Sequence, residues 1–211
     1  MVDLPRCFDP IQLSRPRGAH RYDAFSPKLN RRLTFYGRSA FEAWLMIESD
    51  PGVRTFCERP GVMTVDGHRC IVDFWLSFVD HEGLVLLSDR TPATDRLQNY
   101  PDFDSDSFIV RHIGVAERAA ARVWIGNWQR MLPVLVSARG LVTPSLLNAI
   151  ERFVATPQPL LSVEREFSTG DPVLVRAAAF ELLHLGRVQA IELHTESLSL
   201  LTRFATAQAA S

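Results

Sequence analysis

Lysine is almost absent from this chain. Of 23 basic residues only Lys28 is a lysine, so chemistry that depends on a lysine amine has no other address. Cysteine is scarce too. Cys7, Cys57 and Cys70 are odd in number and lack zinc-ligand spacing, which excludes a metal knuckle and a disulfide framework. The six histidines (His20, His68, His81, His112, His184, His194) fall into no metal-ligand pattern and read as surface or satisfied core residues. No segment approaches the roughly 18 apolar residues of a membrane span. The opening MVDLPRCFDP holds no apolar run of signal-peptide length, so the cytoplasm is the expected compartment and no membrane partner is expected. A net charge of −1 does not by itself mark a nucleic-acid binder.

What is present is enough apolar material for one or two cored domains, 46% of 211 residues. Charge is spread unevenly. Residues 1–40 hold eight Arg and Lys against three Asp, a net of +5, whereas residues 41–138 hold nine Arg against fourteen Asp and Glu, a net of −5. A basic arm ahead of an acidic body fits attraction of a polyanion to one surface; a solvated N-terminal segment fits equally. Residues 1–32 are rich in Arg and Pro with little apolar periodicity and read as an extended arm.

From Arg38 the pattern becomes helical. Phe41, Trp44, Leu45 and Glu48 follow i, i+3, i+4, i+7 spacing until Pro51-Gly52, and Glu42 lies at the edge of that apolar face. Val62–Val65 and Cys70–Phe78 flank Asp66-Gly67, a strong hairpin signal. In the second strand Ile71, Asp73, Trp75 and Ser77 share one face, so Asp73 interrupts a largely apolar surface. A carboxylate there either reaches solvent at a strand end or is paired or metal-bound, because burying it alone costs several kcal/mol. Leu84–Leu87 predicts a third strand, Phe108–Ile113 a fourth, and residues 91–106 a short helix and an acidic loop. Val115 to Ala138 has helical composition, kinked or ended at Pro133.

The last third predicts two capped helices, Thr143-Pro144 opening one and Asp171-Pro172 the other. A short element, Leu160–Phe167, lies between them, and two strands, Val188–Leu193 and Leu198–Phe204, follow. That order is the order of a winged helix-turn-helix. The second helix offers only Arg176, Glu181 and His184 as polar side chains, thin for reading a DNA groove, which favours protein docking.

Several short motifs stand in a consistent order: SPKLNRR at 26–32, Ser39-Ala40-Phe41-Glu42, Asp50-Pro51-Gly52-Val53, Arg59-Pro60, the Asp66-Gly67 hairpin, Val72-Asp73-Phe74, and Asn127-Trp128 with Arg130. Together they resemble the TnsA-type endonuclease subunit of heteromeric transposases, over most of residues 15–205. The resemblance implies an α/β fold. It would comprise a basic arm (1–32), a PD-(D/E)XK or restriction-endonuclease-like mixed sheet with flanking helices (33–138), and a small winged-helix domain (139–205). It implies a DNA partner, with a transposase subunit and an ATPase regulator as protein partners.

In that family a helix Glu and a strand Asp hold the metal, and the next strand ends in Glu-Val-Lys. Glu42 and Asp73 match the two carboxylates as metal ligands, with Mg²⁺ as the implied cofactor of an active site. Ser88-Asp89-Arg90 stands where Glu-Val-Lys belongs. Ser88 is a weak neutral ligand, and Arg90 stabilises developing charge but is useless as a base, because a guanidinium stays protonated. A slip of one residue would offer Leu87 and Asp89 instead. The catalytic positions are thus Glu42, Asp73, Ser88 and Arg90, and the DNA-contacting positions Arg15, Arg17, Arg21, Lys28, Arg31 and Arg32. Three possibilities stay open: a TnsA-like subunit that has lost cleavage, an active metal-dependent endonuclease at transposon ends using Arg90 or a displaced group, and an unrelated α/β protein that imitates the pattern.

Overall fold

The computed structural model describes residues 8–88, 100–169 and 171–207. Arg90, Asp89 and the short helix expected after residue 91 lie outside them. The chain is mixed α/β, with several sheets and six α-helices among the described residues. It divides into two compact units, one of residues 1–48 and 52–119, the other of 49–51 and 120–211. The long helix after residue 120 therefore belongs with the second unit, where the sequence reading placed it with the first.

The first unit opens with a hairpin rather than a loose arm. β1 (Arg21–Ser26) pairs antiparallel with β2 (Arg31–Tyr36). Upstream residues are docked as well: Ile11 is buried, its N–H donates to the Arg59 carbonyl, and Phe8 packs edge-on against Trp75. Two apolar anchors and backbone pairing thus fix a segment whose composition reads as extended arm. α1 (Arg38–Glu48) buries Ala43, Trp44, Leu45 and Ile47. Phe35 of β2 stacks on Trp44 at 5.5 Å between centroids and lies 6.2 Å from Phe74, which seats helix and hairpin on the central sheet.

That sheet is ordered β3 (Thr55–Glu58), β6 (Phe74–Ser77), β7 (Glu82–Leu87), β9 (Ile109–Ile113), antiparallel except for the parallel β7–β9 pair. A second sheet holds β4 (Val62–Val65) between β5 (His68–Ile71) and β8 (Asp102–Phe103). The β4–β5 turn has Asp66 at φ +51° and Gly67 at +76°, the two left-handed residues of a type I′ hairpin. Cys57, Met63, Cys70, Val72, Trp75, Leu84, Leu86 and Phe103 form one buried cluster that joins the two sheets.

One expectation is corrected here. The strand expected over Cys70–Phe78 is two strands in two sheets, with Val72 and Asp73 at the crossing. The Val72 N–H donates to Gly61 at 3.0 Å on the β4 side, and the next N–H, of Asp73, donates to Val85 at 3.0 Å on β7. Gly61 is needed for a different neighbour: a Cβ there would stand 2.3 Å from the Pro101 carbonyl oxygen, beside β8.

α2 (Val115–Ala120) follows β9. In the second unit α3 (Arg122–Ser137) runs through Pro133 instead of ending there, with Leu132 and Leu135 buried on either side of it. Their packing offsets the backbone bond that proline cannot make. α4 (Pro144–Phe153) is capped by the Thr143 hydroxyl and α6 (Pro172–His184) by the Asp171 carboxylate, as the sequence signals predict. Between them come β10 (Gln158–Pro159) and α5 (Leu160–Phe167). β11 (Val188–Gln189) and β12 (Arg203–Thr206) complete a sheet ordered β10-β12-β11.

The two long strands expected at 188–193 and 198–204 are therefore short, and a 3₁₀ turn occupies Ile191–His194. The segment between them is held by Asn127, 2% exposed on α3. Its amide donates to the carbonyls of Leu193 (2.9 Å) and Glu196 (2.8 Å), and its oxygen accepts the Leu198 N–H at 2.8 Å. One side chain thus satisfies three backbone groups of this segment.

Candidate functional site

Asp73 sits where the chain leaves one sheet for the other. Because its N–H donates to Val85 of β7, the N–H of Leu87, two residues on, points to the same side. No carbonyl of β5 follows to meet it, and the Asp73 Oδ2 accepts it instead at 2.7 Å. The carboxylate thus ends the ladder at the C-terminal end of β7. Ser88, exposed, comes next, and its N–H turns the other way to the Ile113 carbonyl of β9 at 3.3 Å. Its hydroxyl lies beside Gly114, 3.4 Å from where a Cβ would be.

Glu42 reaches the same sheet end through a residue the sequence did not single out. Arg118, on α2, is 6% exposed. Its Nη1 donates to the Ile113 carbonyl at 3.2 Å, the oxygen that also receives Ser88, and its Nη2 donates to the Ser39 hydroxyl at 3.2 Å. Its Nε stands 3.7 Å from the Glu42 Oε2. The other Glu42 oxygen accepts from Arg38 at 2.5 Å, one helical turn back. The Ile113 carbonyl thus joins Ser88 to the buried Arg118 and, through it, to Glu42, while Asp73 holds the Leu87 N–H on the adjoining strand. Nothing in the sequence separates Arg118 from Glu117 beside it. Glu117 pairs outward with Arg111, and Arg118 turns inward.

The fit to a divalent cation is poor. A hard cation takes six or more oxygen ligands. One Asp73 oxygen is given to a backbone N–H and Glu42 is shared between two arginines. Among the described residues no group of three or more His, Cys, Asp or Glu could hold a metal ion.

The basic positions of the first 32 residues separate into two sets. Lys28 and Arg31 face inward: the Lys28 Nζ donates to the Val53 carbonyl at 2.6 Å, and Arg31 grips buried Glu58 with two bonds of 2.8 and 2.5 Å. Arg15, Arg17, Arg21 and Arg32 are exposed, Arg21 alongside Asp23. Lys28 and Arg31 thus hold the hairpin to the body, which sequence spacing alone does not reveal. On α6, Arg176 pairs with Glu164 of α5 at 2.6 Å and His184 is buried.

No family model and no curated protein matches the chain.

Proposed function

We propose that this protein is a TnsA-like component of a DNA transposition system, a nuclease-fold subunit impaired in cleavage that binds DNA and other transposition proteins. The observation that carries the proposal is that Asp73 and Ser88 hold the C-terminal end of β7 while Glu42 of α1 is tied through Arg118 to the neighbouring Ile113 carbonyl, an arrangement that suits a PD-(D/E)XK site. The mixed sheet flanked by α1 supports the restriction-endonuclease-like assignment. The order α4, β10, α5, α6, β11, β12 with its three-stranded sheet supports a winged helix.

Impairment rests on what the site holds. Phosphodiester hydrolysis needs a cation to polarise the phosphoryl oxygen and to help generate hydroxide. Glu42 faces arginines, and Ser88 replaces a carboxylate or amide ligand. With Arg176 tied to Glu164 and His184 buried, α6 has little left for base edges, so the second unit suits a protein partner such as the transposase or ATPase regulator. DNA contact falls to exposed Arg15, Arg17, Arg21 and Arg32.

Fluorescence anisotropy with a labelled duplex at increasing KCl tests the DNA half. Binding is expected at low salt, and Glu substitutions at Arg15, Arg17 and Arg32 should flatten the salt dependence by about 0.9 per lost phosphate contact. Absence of binding at low salt would remove DNA from the list of partners.

A further inference from the structure

We infer that the Arg118 guanidinium stands in for the divalent cation at the end of β7, so that the chain neutralises its own nuclease-like site and excludes Mg²⁺ and Mn²⁺. This rests on the nuclease-fold reading above and adds a reason, internal to the molecule, for the loss of cleavage.

The first support is the kind of atom around the guanidinium. Around it stand a carboxylate oxygen of Glu42, the backbone carbonyl of Ile113 and the hydroxyl of Ser39. Carboxylate, carbonyl and hydroxyl or water oxygens are the donor set of a hard cation. The second is burial. A cation 6% exposed is costly unless its surroundings answer the charge, and arginine, weakly hydrated and forked, is the side chain that tolerates such a place. The third is position. Ile113 is the β9 partner of Leu87, whose N–H holds Asp73, so the guanidinium is fastened to the sheet end from which Asp73 and Ser88 project. A divalent ion entering there would meet a fixed positive charge instead of unclaimed carboxylates. Arg118 is a positioning and neutralising group in this account; it touches no substrate.

The test uses the full-length protein and Mn²⁺ as probe, with calorimetric titration and thermal unfolding. Wild type should show no saturable Mn²⁺ binding at the site. Arg118→Met, which keeps the stem and removes the charge, should acquire it. Its Tm should rise by about 3–5 °C at roughly ten times the dissociation constant. Arg118→Met with Glu42→Gln should lose both responses, and with neither charge left it serves as the folding control. A saturable Mn²⁺ site in wild type that Glu42→Gln removes would overturn the inference, and so would a folded Arg118→Met indifferent to Mn²⁺. If Arg118→Met folds only when Mn²⁺ is present and Mg²⁺ or Mn²⁺ restores its Tm, the inference is supported in its strongest form. If it stays unfolded with either ion, the wild-type titration decides alone. A wild-type site that takes Mn²⁺ without cutting DNA contradicts only the role of Arg118. Cleavage by wild type contradicts the reading beneath it.

Discussion

The two ends of α1 each carry a glutamate, and the two are treated differently. Glu48, at the last residue, is 0% exposed; it accepts from the Ser26 hydroxyl at 2.5 Å and from the Lys28 N–H at 3.1 Å. Both donors belong to the β1–β2 hairpin, so Glu48 fastens helix to hairpin. Glu42, in the first turn, keeps 15% of its side chain exposed and lies against the cations Arg38 and Arg118. A buried carboxylate tied to a hydroxyl and an N–H of the hairpin is a fastener. Glu42, against cations at the sheet end, is the carboxylate on which the proposed function rests, whereas Glu48 serves the stability of the fold.

The sharpest way to break the comparison is Glu48→Ala. It strands a hydroxyl and an N–H in the interior and should cost about 3–4 kcal/mol in urea unfolding. Arg118→Met should cost less, about 2–3 kcal/mol, because Glu42 retains Arg38 and some water. Adding Glu42→Gln to Arg118→Met should recover part of that loss, and the cycle should give a coupling of about 1 kcal/mol or more, measured the same way. Asn127→Ala should cost about 2 kcal/mol and speed hydrogen exchange in residues 190–198, whose polar groups it holds.

The smallest effect concerns Asp23. The Thr34 hydroxyl, first, and then Arg21 hold its carboxyl below the ordinary value. A group with a lowered folded pKa contributes stability above its unfolded value and loses it as pH falls through the folded one. Asp23→Asn should therefore leave the protein slightly weaker at neutral pH, with the difference closing in acid. A series of thermal melts from pH 7 to pH 2 would check this.

Much of the first unit was legible because its signals are local. The helix from Arg38 shows its period, the Asp66-Gly67 turn its positive φ, and the N-caps their oxygen three residues or fewer ahead of the N–H they meet. What escaped depends on contacts distant in sequence. The break between β5 and β6 follows from pairing with Gly61 on one side and Val85 on the other. Run as one strand, the alternation of Asp73 with Trp75 looks unbroken. The segment between β11 and β12 is held by Asn127, more than sixty residues upstream. Arg118 is invisible for the same reason: its partners are Ser39 and Glu42, nearly eighty residues away. Of the candidate site, the carboxylates could be named from sequence, whereas the charge that answers Glu42 could not.

The central claim is that this is a nuclease-like site without a working cation. Its most direct test is nicking of supercoiled plasmid by the purified protein in Mg²⁺ and in Mn²⁺, with Asp73→Ala alongside. Loss of one electrostatic group in such a site typically costs on the order of a hundred- to a thousand-fold in rate. The account predicts that wild type and Asp73→Ala nick alike, at the background of metal and plasmid alone. It predicts that Ser88→Glu with Arg90→Lys gains activity only when Arg118→Met is added. Robust wild-type nicking that Asp73→Ala abolishes would contradict the account.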